Sequence, residues 1–172
     1  MLTFRNTLCR DDPEAIRRIA SSTGFFDKND IEINFGMAVR ALSRSNSFDD
    51  DYQFMLLENN GKVIGYACFG KIPTTEANYE IYWLSVDNSC RGRGWGRLLL
   101  NKVVETIGFC GGRKIFIKTE GSRQYLPTRR FYYSCGFEEE AVLKEYYADN
   151  DDCCIFSLCL PGMSAANRMP AE

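Results

Sequence analysis

A short basic loop has the residue types and spacing of an anion-binding loop. Its sequence is Arg91-Gly92-Arg93-Gly94-Trp95-Gly96. Glycine has no side chain and adopts left-handed backbone readily, so the amides of such a loop can approach another group closely. Apolar residues at helical spacing follow, and the free amides and positive dipole end of a helix N-terminus attract negative charge. Together with Arg97, the loop predicts an anion-binding helix start; a flexible basic turn is the alternative.

The spacing of the glycines distinguishes this loop from two well-known phosphate loops. A dinucleotide fingerprint requires Gly-x-Gly-x-x-Gly, but counting from Gly92 the third glycine position holds Arg97. The phosphate loop of ATPases requires Gly-Lys-Ser or Gly-Lys-Thr, which does not occur here. The pattern Arg-x-x-Gly-x-Gly, placed directly after an apolar run, instead suits a pyrophosphate held by consecutive amides.

The amino-acid composition excludes several other classes of function. The 172 residues are 45% hydrophobic and 26% charged, as expected for one soluble domain with a substantial core. The net charge of −2 gives no reason to expect nucleic-acid binding, and no apolar run approaches the roughly 20 residues that span a bilayer. Because no secretory signal opens the chain, we expect a cytoplasmic protein without a membrane partner.

The cysteine and histidine counts limit the catalytic chemistry. The chain has eight cysteines and no histidine, which removes Ser-His-Asp and Cys-His catalysis and disfavours a zinc site. Most of the cysteines lie within apolar runs, where a reduced thiol behaves as a small hydrophobic side chain. We therefore expect reduced cysteines and no bound metal.

Hydrophobic periodicity and turn residues predict the element order β-α-α-β-β-β-α-β-α-β-β. Strands are expected at residues 2–5, 52–58, 62–72, 79–86, 114–119, 137–147 and 153–160. Helices are expected between Pro13 and Gly24 and at residues 28–43, 95–109 and 127–135. This order predicts an α/β domain around one mixed sheet, in which the basic loop joins the fourth strand to the third helix.

Apolar spacing within the helices predicts which faces are buried. The second helix is expected to bury Ile31, Phe35, Val39 and Leu42, and the third Leu98, Leu99, Val103 and Ile107. The loop at residues 24–27 carries two phenylalanines, which either cap the flanking helices or contact substrate. A polar connection is expected at residues 45–51 and a disordered tail at residues 161–172.

Two spaced segments resemble the cofactor-binding motifs of a known superfamily. Trp83-Leu-Ser-Val-Asp87 followed by Arg91-Gly-Arg-Gly-Trp-Gly96 is similar to the acetyl-CoA signature of the GNAT acyltransferases. Pro127-Thr-Arg-Arg-Phe-Tyr-Tyr-Ser-Cys-Gly-Phe137 resembles the second cofactor segment of that family. The order of elements also matches from residue 2 to about residue 160, so the resemblance implies a GNAT domain at residues 1–160.

The fold implied by this resemblance is the GNAT acyl-CoA N-acyltransferase fold. It is an α/β fold with a single mixed, mostly antiparallel sheet and flanking helices, in which strands four and five splay apart. More narrowly, Thr23-Gly24-Phe25, the fourth strand and Tyr147-Ala-Asp-Asn-Asp-Asp152 resemble a bacterial GNAT subgroup of undefined substrate. That subgroup has Pro-Gly where Asp149-Asn150 stands here, so the final turn departs from its pattern.

The resemblance also implies which residues contact acetyl-CoA. Loop amides would hold the pyrophosphate at the helix start, and the backbone of the fourth strand would pair with the pantetheine arm as an added strand does. Residues after the fourth strand would line the other wall. The implied cofactor-binding residues are Leu84, Ser85, Val86, Arg91, Gly92, Arg93, Gly94, Trp95, Gly96, Arg97, Thr119, Thr128 and Phe131.

Two residues are implied as catalytic. Tyr132 occupies the family's usual position for the acid that protonates the leaving thiolate, with core packing as the alternative. Its neighbour Tyr133 points elsewhere on the helix and is expected in the core. Glu80 matches a glutamate that the family often carries on strand four, acting as a base directly or through water. An ion pair or a solvated carboxylate is the alternative for Glu80.

The implied activity is an N-acetyltransferase that moves the acetyl group of acetyl-CoA directly to a primary amine of a small molecule or peptide. A non-catalytic acyl-CoA-binding sensor or regulatory module is the alternative. The acceptor class stays open. Tyr146 and Tyr147 could stack on a cation, while Asp149, Asp151 and Asp152 could attract it or simply form a solvated turn. Final strands of such sheets are often dimer edges, so a homodimer is considered as well.

Overall fold

Residues 1–44 and 51–161 are described by the structure, which is a computed structural model. The polar connection predicted at residues 45–51 and the tail predicted at residues 161–172 therefore lie almost wholly outside the described residues. Within the described part, the order of helices and strands is the predicted one, and the α/β class is confirmed.

The helices and strands begin and end close to their predicted bounds. The strands are β1 (Leu2–Arg5), β2 (Gln53–Asn59), β3 (Lys62–Lys71), β4 (Asn78–Val86), β5 (Lys114–Glu120), β6 (Glu138–Ala148) and β7 (Asp151–Cys159). The α-helices are α1 (Asp12–Ser22), α2 (Lys28–Ser43), α3 (Trp95–Phe109) and α4 (Leu126–Ser134). Short 3-10 turns at Asn88–Cys90 and Arg123–Tyr125 follow β4 and β5 and were not predicted.

The first of two compact units comprises Met1–Lys71 and Glu80–Val103. Its strands lie in the order β1-β2-β3-β4, and β2 pairs antiparallel with both β1 and β3. At the turn between β2 and β3, Asn60 and Gly61 have φ of 50° and 77°, as a type I′ hairpin turn requires. Residues of α1, α2 and these strands form one buried cluster, which includes Ile16, Ile19, Ala38, Phe54 and Tyr66.

The buried face of α2 differs from the prediction. Asn34, Ala38 and Ala41 are buried, whereas Val39 is 42% exposed and Phe35 is only partly buried. The alanines are small enough for close packing against the cluster. Asn34 is accommodated there because its Oδ1 accepts a hydrogen bond of 2.6 Å from the Tyr66 hydroxyl.

The buried face of α3 also differs at one position. Leu99, Val103 and Ile107 are buried as predicted, but Leu100 takes the place of Leu98, which is 45% exposed. Residues 98–100 are all leucine, so apolar spacing alone does not determine which side of the helix faces the core.

The second compact unit comprises Ile72–Tyr79 and Val104–Glu172, described as far as residue 161. Its strands lie in the order β5-β7-β6, with β7 antiparallel to both neighbours. Ile117 of β5 lies opposite Phe156 of β7, and both side chains are buried.

Strand β6 is exposed along its whole length and is irregular at two places. Its register shifts first at Glu140 and again after Leu143, where residues 144–147 lie opposite Asp152 alone. The Asp152 carboxylate fills this second bulge, because it accepts from the Glu145 amide at 3.0 Å and pairs with Lys144 at 2.9 Å. Glu145 itself has a φ of 52°.

Candidate functional site

The turn that follows β4 is fixed by Asp87. Its backbone amide donates to the Ile64 carbonyl at 2.8 Å, and its carboxylate accepts from the Ser89 amide at 3.0 Å and the Ser89 hydroxyl at 2.7 Å. Arg18 of α1 completes the arrangement with an ion pair to the same carboxylate. These contacts, the Ser89 hydroxyl foremost, lower the pKa of Asp87, so it stays ionised at neutral pH.

The end of β4 lies close against β3. A Cβ added to Gly65 would meet the Ser85 carbonyl oxygen at 3.1 Å and a methyl group of Val86 at 3.3 Å. The Ser85 side chain also lies near the Tyr66 hydroxyl of β3, whose pKa is raised by burial. The backbone of Ser85 and Val86, two of the residues implied to face pantetheine, is therefore packed closely against β3.

The basic loop begins after this turn and opens α3. Gly92 and Gly94 have φ of 75° and 79°, in the left-handed region that glycine adopts without strain. The first hydrogen bond of the helix runs from the Leu98 amide to the Gly94 carbonyl at 3.1 Å. The amides of a first helical turn have no acceptor within the helix, which is the feature on which the predicted anion site depends.

Arginine side chains surround the start of α3. The guanidinium carbon of Arg91 lies 5.1 Å from the centre of the Phe25 ring, and that of Arg93 lies 5.4 Å from the Trp95 ring. Burial lowers the pKa of Arg91, which nevertheless remains a cation at any physiological pH. Arg97, in the first turn of α3, is exposed. The loop thus carries positive charge beside free backbone amides.

The loop between α1 and α2 packs against this part of the unit. Asp27, rather than either phenylalanine, caps α2, because its side chain accepts from the Asp30 amide at 2.8 Å. The Phe26 ring makes an edge contact with Trp83 of β4, with ring centres 5.4 Å apart. The polar cap of α2 is thus Asp27, while the two rings pack on β4 and on Arg91, and substrate contact by them stays a prediction.

Glu80 lies near the beginning of β4 and is partly buried. Its negative charge affects the pKa of Tyr82, two residues along the strand. Burial raises the pKa of Tyr82, and the nearby Glu80 carboxylate raises it further. The structure therefore places Glu80 in a partly apolar setting beside a phenol, in the same unit as the basic loop.

The remaining predicted site residues belong to the second unit. Thr119 is buried on β5, opposite Cys154 of β7, while Thr128 and Phe131 are partly buried on α4. Arg129 ties the start of α4 to the end of β5, because its guanidinium donates to the carbonyls of Glu120 and Ser122 at 2.7 Å and 2.9 Å.

Tyr132 lies in an aromatic cluster of that second unit. Its ring centre is 5.5 Å from Phe131, 6.1 Å from Phe137 and 5.7 Å from Phe156, and its side chain is buried. This burial raises the pKa of Tyr132, so the phenol keeps its proton throughout the neutral range. The expectation that Tyr133 is the core residue is wrong: it is 52% exposed, because the buried stripe of α4 runs through Tyr132.

The acidic turn between β6 and β7 is engaged within its own hairpin. Asp152 holds the β6 bulge, and the rings of Tyr146 and Tyr147 contact each other with centres 5.0 Å apart. Burial, and then a contact with Cys153, raises the pKa of Tyr147. These contacts account for Asp152 structurally and favour the solvated-turn alternative for that residue.

Residues 1–44 and 51–161 carry no metal-binding cluster and no membrane-spanning helix. No group of three or more Cys, Asp or Glu side chains there is arranged to hold a metal ion. All eight cysteines are free, with Cys68, Cys153 and Cys154 buried. No helix of the described chain is long and apolar enough to cross a membrane.

Sequence reasoning missed the residues that hold the basic loop in place. The pattern Asp87-Asn88-Ser89 is itself a cap signal, since an Asp side chain often accepts from the amide two residues on. Arg18 gave no comparable signal, because its partner Asp87 is 69 positions away and only the fold brings the two together.

Comparison with known proteins agrees with this geometry. An uncharacterized N-acetyltransferase of Methanocaldococcus jannaschii is 34% identical over 99 residues, and the match covers 58% of this chain and 61% of that protein. The chain thus spans about three-fifths of the length of that relative.

Solved structures extend the likeness over almost the whole chain. A protein from Desulfovibrio desulfuricans, assigned to the GNAT family, superimposes with a TM-score of 0.88 and 36% identity over 92% of this chain and 99% of its own. The Salmonella typhimurium protein yncA, solved with its cofactor acetyl-CoA, has a TM-score of 0.70 at 21% identity over 96% and 97% of the two chains, a likeness of fold alone.

A sequence profile gives the family directly. The profile of the acetyltransferase (GNAT) family matches residues 15–137, which include most of α1, the basic loop and α4. This range is well over half of the chain, and the implied GNAT fold is confirmed by the Desulfovibrio structure. The chain belongs to the acetyltransferase (GNAT) family.

Proposed function

We propose that this protein transfers the acetyl group of acetyl-CoA directly to a primary amine of a small molecule or peptide. The observation that carries the proposal is the start of α3, where two left-handed glycines leave backbone amides free beside arginine side chains. A diphosphate is the anion that fits a row of consecutive amides with flanking cations. The fold relative from Salmonella, which carries acetyl-CoA, supports this choice of diphosphate.

The cofactor is held in this proposal by the loop and by β4. The amides of residues 92–96 bind the diphosphate together with the side chains of Arg91 and Arg97. The Arg91 amide, which was also predicted to contribute, donates to the Asn88 carbonyl at 3.3 Å instead. The backbone of Leu84, Ser85 and Val86 pairs with the amide groups of pantetheine, as an added strand would. The hydrogen bonds of Asp87 and the close packing of Gly65 support this role, because they fix the backbone that must make these contacts.

Acetyl-CoA supplies an activated acyl group, and the protein must then manage two protons. The acceptor ammonium loses a proton before its nitrogen can attack, and Glu80 takes that proton directly or through water. The leaving sulfur gains a proton, which we assign to the Tyr132 hydroxyl. The Tyr132 phenol is protonated at neutral pH, as this role requires, but burial raises its pKa and makes it a weaker acid than an exposed phenol. Thr119, Thr128 and Phe131 are assigned to the contacts with the cofactor made by the second unit.

Transfer proceeds without a covalent enzyme intermediate in this proposal. A cysteine nucleophile would need a basic partner, and the chain contains no histidine to serve as one. The balance is therefore simple. The carbon–nitrogen bond forms and the carbon–sulfur bond breaks. The ammonium nitrogen loses one proton before it attacks and a second as the amide forms, the leaving sulfur gains one, and the net proton goes to solvent.

The burial of Tyr132 favours a second candidate, a non-catalytic sensor of acyl-CoA. A tyrosine packed among Phe131, Phe137 and Phe156 can serve the core alone. In that case the basic loop binds the cofactor and no amine is acetylated. Amine-dependent turnover of the wild-type protein separates the two candidates.

An amine-panel assay tests the proposal. The purified protein is incubated with acetyl-CoA and each of a set of small amines and peptides, and free thiol is measured. Release that depends on both the protein and one amine class is the expected result. Acetyl-CoA should also raise the melting temperature through linkage. No thermal shift at millimolar acetyl-CoA would overturn the cofactor assignment, and a shift without turnover would favour the sensor.

A further inference from the structure

The Phe25 ring joins the loop between α1 and α2 to the basic loop that opens α3. The guanidinium of Arg91 lies 5.1 Å from the ring centre, within the range of a cation–π contact. By contrast, Arg93 contacts Trp95, which belongs to its own loop. The two residues of the Phe25–Arg91 contact are 66 positions apart, so the contact fastens one segment of the unit to another.

The backbone that carries Phe25 is fixed on both sides. The Phe25 amide donates to the Thr23 hydroxyl at 3.1 Å, and that hydroxyl in turn donates to the Ala20 carbonyl at 2.8 Å. On the other side, Asp27 caps α2 and the Phe26 ring packs on Trp83. The Phe25 ring is therefore presented to Arg91 by a segment tied to α1, to α2 and to β4.

A long arginine side chain on an exposed loop samples many rotamers, and binding an anion with it costs the entropy of fixing one. A ring held against the guanidinium removes part of that cost beforehand. Where a guanidinium stacks on an aromatic ring, its N–H donors lie at the edge of the guanidinium and can still bind an anion.

We propose that Phe25 is a positioning residue for the cofactor diphosphate. It acts by holding the guanidinium of Arg91 in place at the start of the basic loop. This inference rests on the proposed function, because it takes the diphosphate of coenzyme A as the ligand of that loop. It also separates the neighbouring phenylalanines, since Phe26 contacts Trp83 and supports packing only.

The test compares coenzyme A with pantetheine, which has the same arm but no diphosphate. Binding of each to the full chain is measured by calorimetry for wild type, Phe25→Leu, Phe25→Tyr and Phe26→Leu. We expect Phe25→Leu to weaken coenzyme A binding about three- to tenfold, with pantetheine binding unchanged. Phe25→Tyr keeps the aromatic face and should restore coenzyme A affinity. Phe26→Leu is the matched control and should leave the ratio of the two affinities as in wild type.

A double-mutant cycle with Arg91→Gln identifies the contact through which Phe25 acts. In the Arg91→Gln background, Phe25→Leu should cause no further loss of coenzyme A affinity. An equal loss in both backgrounds, or an equal loss for pantetheine, would overturn the proposal by showing a general structural effect. Thermal melts check folding, and Phe25→Met, with a side chain of similar size, replaces Phe25→Leu if that variant does not fold.

Binding of coenzyme A to the wild-type protein distinguishes failure of the Phe25 role from failure of the proposed function. If it binds coenzyme A and Phe25→Leu binds it equally well, the role of Phe25 is wrong while the proposed function stands. If wild type does not bind coenzyme A at all, the proposed function fails, and the diphosphate role of Phe25 fails with it.

Discussion

The guanidinium of Arg18, on α1, forms an ion pair with the carboxylate of Asp87, the residue directly after β4. The same guanidinium donates to the Val63 carbonyl of β3 at 2.8 Å. One arginine therefore fastens α1, the start of β3 and the turn that leads to the basic loop. Since the loop begins four residues after Asp87, the position of α1 helps to fix where the loop amides point.

Replacing Asp87 by asparagine should lower stability by about 1–2 kcal/mol at pH 7, because it removes a charge-assisted interaction while keeping a side chain that can still accept from Ser89. The pKa of Asp87 is lowered in the folded protein. Its contribution to the free energy of unfolding is therefore fully present above the unfolded carboxyl pKa of about 3.9, and it is lost as pH falls through the folded pKa. Urea unfolding at several pH values should show the wild-type and variant curves converging in acid.

The control for Asp87 is Glu76→Gln, which removes an ion pair with Arg113. The Glu76 side chain is 77% exposed and the Arg113 side chain is 62% exposed. Surface pairs of this kind contribute little, so its stability should stay within about 0.5 kcal/mol of wild type. A difference between wild type and Asp87→Asn that is the same at every pH would contradict the account of Asp87.

Alanine at Gly92 or Gly94 should weaken binding of coenzyme A. Each position has a positive φ, which costs an alanine about 1–2 kcal/mol, and the loop would shift to relieve it. A Cβ at either position would meet nothing within 4 Å, so the loss comes from the backbone and not from a clash. Calorimetry should show an affinity reduced about tenfold.

Gly36→Ala in α2 is the matched control for the loop glycines. Its Cβ would lie 3.9 Å from the nearest atom, in a helix, where alanine is favoured over glycine by up to about 1 kcal/mol. This variant should melt at a higher temperature and bind coenzyme A as wild type does. Loop variants that also bind like wild type would remove the glycines from the site.

Tyr132→Phe should reduce turnover by at least about tenfold while coenzyme A affinity persists, because the phenol hydroxyl is the assigned proton donor. Burial raises the pKa of Tyr132 above its ordinary value near 10, so turnover should not fall through loss of this proton as pH rises to about 10. Tyr133→Phe, on the exposed side of the same helix, should behave as wild type. Unchanged turnover in Tyr132→Phe would exclude Tyr132 as the acid.

Glu80→Gln should flatten the acidic limb of the rate profile against pH, since that limb reports protonation of the base. It should also lower the pKa of Tyr82, because the nearby carboxylate contributes to raising it. Ultraviolet titration of the phenol in the wild type, the variant and Tyr82→Phe measures this effect separately from catalysis. A shifted Tyr82 titration with an unaltered rate profile would leave Glu80 as a neighbour of the phenol and not as the base.

Local signals were sufficient for most of the fold. The bounds of α2 and α3 agree with the prediction, and the Asn60-Gly61 turn has the left-handed backbone that its residue types indicate. In each case the decisive interactions, caps and turns, lie within a few residues of one another, so the sequence contains them directly.

Partners distant in sequence account for the errors. The buried face of α2 is centred on Asn34 because Tyr66 of β3 meets its side chain, and no count of apolar residues within the helix contains that fact. Tyr132 and Tyr133 are neighbours of the same residue type, and packing against Phe131 and Phe137 places the first inside.

The residues of the candidate loop could be identified from the sequence, but the contacts that support the loop could not. The glycines and arginines of the loop were recognisable because backbone conformation and charge follow from residue type. The supports of the loop were not, because Arg18 and Phe25 reach it from another part of the chain.

The irregular register of β6 has a consequence for how the protein behaves when concentrated. A straight edge strand is a template on which a second chain can add by backbone pairing. Here Glu140 and the bulge at residues 144–147 leave only residues 141–143 in regular register between them. So short a run offers few ladder hydrogen bonds, and the glutamates at 138–140 repel a like strand laid alongside in parallel. The apolar residues Val142 and Leu143 can therefore lie at the surface without making this edge a seed for fibril growth.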